Sequence, residues 1–402
     1  MRRRKILILT KLFWPEGSGA ELATYLIVKD ILAKYFDVTI VSGTKKPHLN
    51  ILRNCKYIFW EVLLTKHKPL EWLKLTLNTH LVKKLVEKTN VVYIPSHTLL
   101  PLAIAIKRFR PCTKVVLHLH NYQPITYTAV VLTNGDLDAK NDIIFERYEH
   151  GSIARAIATG LLRITNKINT LALYYADEVI CVSRRQAELI SRNLPELAPK
   201  IMVIYNPIPE FSPSEGGKFE KPTFTYAGGG SYVKGFHIFI QAALKLLKQK
   251  RYVNFMLTGG LRGYRYYLKL LEKLNKQFTE SFKLFSRLPY EDVLKLYSKS
   301  YAVLVPSIWE EPLPYVVMEA MAVGTIPIAS RIGGIPEIVR GTYAERMMFT
   351  RGDPEDMADR IEEILSMPKE HLIDIGYQLR EAALKKFNRE TVKRKLLKIF
   401  EA

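Results

Sequence analysis

Short runs of Val, Ile and Leu alternate with longer, helix-length patterns from one end of this sequence to the other. This alternation limits the fold more than any other feature. A continuous apolar strand is buried on both faces, and strands separated by helices pair in parallel beneath those helices. The strand runs are Lys5–Leu9, Val38–Val41, Val91–Ile94, Val115–His118, Val179–Val182 and Met202–Ile204, followed by Phe224–Tyr226, Phe255–Thr258, Lys283–Phe285, Ala302–Val305, Ile326–Ala329 and Met347–Phe349. Between the two sets, Asn206–Gly217 is rich in Pro, Gly and Ser and has no period, as a linker does. A length of 402 residues suits two or three domains of about 150 residues each. The expectation is an α/β chain of two doubly wound domains, residues 1–205 and 221–384, with a linker over 206–220 and a basic amphipathic helix over 385–402. Sites in such sheets lie at the carboxyl ends of strands or in an interdomain cleft.

Nearly half the residues (48%) are apolar, which excludes intrinsic disorder. The net charge of +21 leaves three partner classes open: nucleic acid, an anionic membrane surface, or phosphorylated small molecules. Its distribution narrows the choice. Residues 1–130 hold 21 basic and 7 acidic side chains, residues 131–200 hold 9 of each, and the rest hold 30 and 23. The excess is mixed into apolar periodic sequence, as on the surface of a folded domain. Cys55, Cys112 and Cys181 are widely spaced and form no metal-ligand pattern, so they read as reduced thiols in a cytoplasmic protein. The apolar run after Met1-Arg-Arg-Arg-Lys is interrupted at Lys11 and reads as a first strand, not a signal peptide. No charge-free apolar stretch reaches the roughly 18 residues that span a bilayer. The longest candidate, Ile153–Tyr175, contains Arg155, Arg163 and Lys167.

The most informative stretch runs from Val305 to Gly324. A strand ends at Pro306, a loop carries Glu310 and Glu311, and a helix is expected to start near Pro312 or Pro314, where a missing N–H costs least. Glu311 then lies beside a helix N-terminus, which favours anions. Glu319 falls inside that helix among Val316, Val317, Met318, Ala320, Met321 and Ala322. An acid in such surroundings needs a partner, and a ligand hydroxyl would serve. Gly228-Gly-Gly-Ser-Tyr-Val-Lys234-Gly235 also links a strand to a helix. Its glycines would let a phosphate approach the backbone, with Lys234 as a point charge, although an ordinary turn has the same composition. Gly17 and Gly19 mark a similar turn after the first strand. His97 follows one strand, and His118 and His120 close the next. Of these, His120 could face a cleft, and a structural histidine is the competing reading.

These motifs together resemble the GT-B-fold retaining glycosyltransferases of family 4, the group 1 glycosyltransferases, over nearly the whole chain. The anchor is the family's E-x7-E element, here Pro306-Ser307…Glu311-Pro312…Glu319-Ala-Met-Ala-Val-Gly324, continuing to Gly333-Gly334-Ile-Pro-Glu337. The spacing selects Glu311 over Glu310. The resemblance implies two Rossmann-like domains facing across a cleft, with the C-terminal helix packing back on the first. It also implies a nucleotide-diphosphate-sugar donor and a hydroxyl acceptor on a glycan or a lipid carrier, with no metal or other cofactor. Glu319 would hold the ribose, Glu311 the donor sugar and Lys234 the diphosphate. Gly17, Gly19, Gly228 and Gly229 would approach the donor closely. His120 matches the first-domain histidine near the sugar. Arg287 and Leu288 match the loop around the base, and Leu313, Tyr315 and Val316 complete the donor-binding set.

Two departures bear on donor binding. Gly229 stands where the family usually has arginine, leaving Arg262, Arg265 or Arg287 to compensate, and Pro314 removes a backbone N–H that the family aims at the sugar. The basic first third suits an acceptor-side domain, and Arg53–Lys88 and Ile104–Lys114 mix cations with Trp60, Trp72 and Phe109 as an anionic membrane interface would. An epimerase or phosphorylase on a similar fold would need an acid/base pair or a cofactor lysine that cannot be placed. Nucleic-acid binding lacks any signature and leaves residues 305–337 unexplained.

Overall fold

The computed structural model describes residues 3–65, 67–132, 139–209, 211, 217–261, 265–278 and 281–401. These residues form two compact units, one of Met1–Pro207 with Asn388–Ala402 and the other of Ile208–Phe387. Of the linker expected over 206–220, Glu210 and residues 212–216 lie outside the described residues, as does Arg262.

The first unit holds a parallel sheet of β1 (Lys5–Thr10), β2 (Asp37–Ser42), β3 (Lys56–Phe59), β4 (Val91–Ile94), β5 (Lys114–Leu119), β6 (Glu178–Cys181) and β7 (Ile201–Val203). Their spatial order is β3-β2-β1-β4-β5-β6-β7. The second unit holds β8 (Thr223–Tyr226), β9 (Asn254–Leu257), β10 (Phe282–Leu284), β11 (Ala302–Val305), β12 (Ile326–Ser330) and β13 (Met348–Phe349). These are also parallel, in the order β10-β9-β8-β11-β12-β13. Every expected strand is present within two residues at each end. The one strand absent from the sequence expectation is β3, a half-exposed edge strand with no continuous apolar run to reveal it.

Both sheets are doubly wound because their central strands are apolar on both faces. Ile6, Leu7, Ile8 and Leu9 are essentially inaccessible, as are Ala302, Val303 and Leu304. Each large aliphatic side chain so buried contributes about 1.5–3 kcal/mol. Strand order reverses between β1 and β4 in the first sheet and between β8 and β11 in the second. The loops after these strands splay apart and leave a crevice, where ligands of open α/β sheets bind. In the second unit those loops are the Gly228–Gly235 and Pro306–Pro314 segments. In the first they are the Gly17–Gly19 turn and the segment carrying His97.

The helix Lys369–Lys386 ends before Phe387, and a separate helix, Arg389–Glu401, belongs to the first unit. The expected start at residue 385 is therefore corrected: Lys385 and Lys386 still belong to the preceding helix. Phe400 packs its ring 6.2 Å from Phe36 and 5.4 Å from Tyr93, while Lys395 donates to the Val203 carbonyl at 3.1 Å. No helix among the described residues is long and apolar enough to cross a membrane. Trp72, read from sequence as an interfacial side chain, is instead buried and donates Nε1 to the Thr98 carbonyl at 3.1 Å.

Candidate functional site

The second unit's switch-point loops converge on a charged group. Lys234 Nζ donates to Glu311 Oε1 at 2.6 Å, and the same oxygen accepts from Ser307 Oγ at 2.7 Å. The carboxylate is almost wholly buried, at 4% exposed, whereas the lysine side chain is 39% exposed and lies 5.3 Å from the Trp309 ring. One end of the pair is therefore fixed and the other can reach a ligand.

Glycine is required where these loops meet. Gly235 has φ +74°, and a Cβ there would lie 1.7 Å from the Pro306 carbonyl oxygen. Only a residue without a side chain lets the lysine loop lie against the end of β11, where Ile308 N donates to Val233 O at 2.9 Å. Gly333 packs in the same way on the Glu311 backbone, and Gly334 N donates to Glu311 O at 2.7 Å. The glutamate is thus clamped by backbone as well as by side chains.

Gly228 and Gly229 lie in the lysine loop. Gly229 has φ +57°, and a Cβ would sit 2.9 Å from the Gly260 carbonyl oxygen. The departure from the family's arginine therefore has a local cause, since this loop takes a left-handed, closely packed turn at that position. Arg287 is exposed and Leu288 half-buried, just before the helix Tyr290–Lys299.

The helix expected after Glu311 runs from Tyr315 to Ala322, with Pro314 as its N-cap. Leu313 and Tyr315 are buried and Val316 is partly exposed. Glu319, 5% exposed, has a partner within the fold: the Tyr290 hydroxyl donates to its Oε1 at 2.6 Å. Burial pushes the Glu319 carboxyl up to about 7, against the opposing pull of that hydrogen bond. Burial and the adjacent carboxylate push the Tyr290 phenol far above its ordinary range. Glu310 is buried as well, and its charge acts on the partly buried Arg351 guanidinium.

Gly17, Gly19 and His120 belong to the first unit, at the carboxyl edge of its sheet. Gly17 has φ +94° and precedes a capping box, in which Ser18 N donates to Glu21 Oε2 at 2.7 Å at the start of the helix Gly19–Ile27. His120 follows β5, its ring centroid 4.3 Å from that of His118, and its Nε2 is enclosed without a hydrogen-bond partner. Burial holds His120 down at about 4 and His97 at about 3, so both are uncharged at neutral pH. His118 Nδ1 and the Tyr93 hydroxyl lie 2.6 Å apart, which accounts for His118 as a structural residue.

Sequence reasoning gave no role to Ser307 or Tyr290, although both lie in segments it singled out. Ser307 stands four residues before Glu311, and Tyr290 two after Leu288. The signal for each was a polar side chain beside a candidate acid, but the pairing with Glu319 spans 29 residues and required the fold.

Sequence comparison is consistent with this geometry. The profile "Glycosyl transferases group 1" matches residues 208–381 and "Glycosyltransferase Family 4" matches residues 17–210. The chain belongs to the group 1 glycosyltransferases. It is 29% identical over 192 residues to spore coat protein SA of Bacillus subtilis, covering 47% of this chain and 51% of that protein. It is 24% identical over 264 residues to the alpha-maltose-1-phosphate synthase of Mycolicibacterium smegmatis, covering 60% and 67%. The chain spans about half the length of the first curated relatives it matches. Among solved structures, Anabaena Alr3699/HepE in complex with UDP and glucose has a TM-score of 0.70 at 18% identity, over 99% of both chains. Sucrose-phosphate synthase from Thermosynechococcus elongatus has a TM-score of 0.74 at 17% identity, over 99% and 98%. Likeness at this identity establishes the fold, which is GT-B, with a Rossmann-like sheet in each unit.

Proposed function

We propose that this chain transfers a glycosyl group from a nucleoside-diphosphate sugar to an acceptor hydroxyl, with retention of anomeric configuration and without a metal ion. The observation that carries this reading is the Lys234–Glu311 pair, held at 2.6 Å by two glycine-shaped loops, with Glu319 eight residues further along the chain. The complexes of Alr3699/HepE with UDP and with UDP-glucose support a nucleotide-sugar donor.

Breaking the anomeric C–O bond sends its electron pair to the leaving phosphate oxygen and leaves positive charge on the sugar ring. Lys234 meets the developing negative charge, aided by the N-terminus of the helix Tyr315–Ala322. Glu311, buried and oriented by Ser307, lies where it can favour the positive charge. The acceptor oxygen bonds to the anomeric carbon on the face the phosphate leaves, and its proton passes to the departing phosphate. No dedicated base is then required. Glu319 accepts hydrogen bonds from the ribose hydroxyls, Tyr290 keeping it in place until they arrive. Gly228 and Gly229 admit the diphosphate, Arg287 and Leu288 border the base, and Leu313, Tyr315 and Val316 shape the sugar end. For the first unit, we propose that uncharged His120 serves as a hydrogen-bonding group in turnover, and that Gly17 and Gly19 give a close backbone approach. The acceptor is a glycan or a lipid-linked hydroxyl.

Incubating the protein with UDP-, GDP- and ADP-sugars, with and without EDTA, tests this reading. Nucleoside diphosphate release that persists in EDTA, with a product of the donor's anomeric configuration by NMR, is the expected result. Inverted product, or complete dependence on added metal, would overturn the retaining, metal-independent scheme.

A further inference from the structure

Glu311 is fixed by its own loop and the lysine loop, but the Tyr290–Glu319 hydrogen bond joins two separate helices, Tyr290–Lys299 and Tyr315–Ala322. A third helix, Lys369–Lys386, packs backbone to backbone on the end of the Glu319 helix. A Cβ at Gly376 would lie 2.3 Å from the Gly324 carbonyl oxygen, and Gly324 itself takes φ +75°. Arg380 stands four residues after Gly376, on the same helix face, and is brought up against that end. Its Nη1 donates to the Ala322 carbonyl at 2.9 Å and its Nη2 to the Phe211 carbonyl at 3.1 Å.

These two carbonyls lead to the two members of the pair. Ala322 is the last residue of the helix that carries Glu319. Phe211 has its ring centroid 6.3 Å from that of Tyr290, whose hydroxyl donates to Glu319 at 2.6 Å. One guanidinium thus holds the acid by the end of its helix and the phenol through a neighbouring ring, all within the second unit. Lys218 bridges the same two helices, donating to the Ser298 carbonyl at 3.1 Å and the Gly324 carbonyl at 3.2 Å, but it does so at their C-terminal ends, and Tyr290 opens its helix. The contact that reaches Tyr290 is the arginine's. Arginine suits the place, because its planar fork serves two carbonyls at once and a cation at a helix C-terminus meets the negative end of the dipole. Its part is positional: burial and the Tyr290 hydrogen bond set the titration of Glu319, and Tyr297, which also faces that carboxyl, is a buried phenol.

We infer that Arg380 is a positioning residue of the donor site, which seats the Tyr290 hydroxyl on Glu319 and so presets that carboxylate for the ribose. The inference rests on the reading of Glu319 as the ribose acid, but the tie itself is measurable without a donor.

A double-mutant cycle of Arg380→Met and Tyr290→Phe tests it. In urea titrations of the unliganded full chain, the double variant should lose less stability than the two single losses combined, by at least about twofold in the unfolding constant, whereas two residues that support the fold independently would add. Arg380→Met should also raise KM for the nucleotide sugar about tenfold and change kcat by less than about twofold, because a ribose contact is the same in the ground and transition states. General loosening of the unit would lower kcat as well. Phe211→Leu removes the ring at a partly exposed position and leaves the arginine intact. It should reproduce both effects at smaller size, and it serves in the cycle if Arg380→Met does not fold. Additive stabilities overturn the inference, as does an unchanged KM in a chain that binds nucleotide sugar. A coupled cycle in a chain that binds none would uphold the tie between Arg380 and Tyr290 and overturn only the donor reading.

Discussion

The two units carry the same kind of sheet and place their loops at the same kind of strand reversal, yet equip those loops differently. In the second unit the crevice is built from charge: a buried carboxylate on a lysine, and a second carboxyl raised to about 7. In the first unit the corresponding edge holds histidines that burial keeps neutral, beside a pair of its own: Lys11, directly after β1, donates to the buried Glu71 at 2.7 Å, and Thr98 donates to the same carboxylate at 2.9 Å. Their surfaces differ as well. Of the large apolar side chains left exposed among the described residues, nineteen lie in the first unit and five in the second, three of those five being tyrosines. Both crevices hold a buried carboxylate on a lysine, and the exposed apolar surface and the second unit's raised carboxyl, Glu319, are what separate them.

The largest effect that could break this comparison is on turnover. Glu311→Gln removes the charge but keeps the shape, and kcat/KM should fall about 10²–10³-fold, equivalent to about 3–4 kcal/mol, as for loss of a preorganised transition-state contact. Wild-type turnover by this variant would take the charge of Glu311 out of the mechanism. The next effect is on stability and compares glycines directly. Gly235→Ala drives a methyl into the Pro306 carbonyl, whereas the same methyl at Gly17 meets the flexible end of Glu21. Urea titration should show a loss of about 3 kcal/mol for Gly235→Ala and about 1–2 kcal/mol for Gly17→Ala, both conformations being left-handed. Equal losses would mean that the second unit's loops are not locked together by backbone contact.

A smaller effect concerns pH. Because Glu319 is raised from 4.5 to about 7, its protonated form favours the unliganded fold at low pH, and that advantage is lost as pH rises through 7. Ribose hydroxyls donate to the ionised form, so donor binding should run the other way. Calorimetry should show affinity falling by up to about tenfold per unit below pH 7, and Glu319→Gln should abolish the slope. The smallest effect belongs to the first unit. With His120 neutral, the pH profile of kcat/KM in the Glu319→Gln background, where that carboxyl no longer titrates, should show no inflection near the ordinary histidine value of 6.5, and His120→Asn, which keeps a hydrogen-bonding group, should cost about tenfold or less.

The strands were legible in sequence because parallel, doubly covered strands are uninterrupted apolar runs. The edge strand Lys56–Phe59 was not, since half-exposure erases that signature. Glu311, Glu319 and Lys234 were legible through motif spacing. Ser307 and Tyr290 escaped because their importance lies in long-range hydrogen bonds to those acids. An apolar stripe along Ile153–Ile164 was visible only as part of a failed membrane span, whose three cations disqualify it. Only the structure shows that its apolar face points to solvent. Conversely, Trp72 has an interfacial composition around it but a buried position.

The central claim is that the second unit recognises a nucleoside-diphosphate sugar through Lys234. Calorimetric titration of UDP-, GDP- and ADP-glucose into the wild-type chain and into Lys234→Gln, which leaves Glu311 a hydrogen-bond donor, tests it most directly. The account predicts saturable binding of at least one nucleotide sugar to the wild type and an affinity at least about tenfold lower in the variant, the worth of one charge-assisted contact of about 1.4 kcal/mol or more. Undiminished affinity in Lys234→Gln, or no binding of any of the three to the wild type, would contradict it.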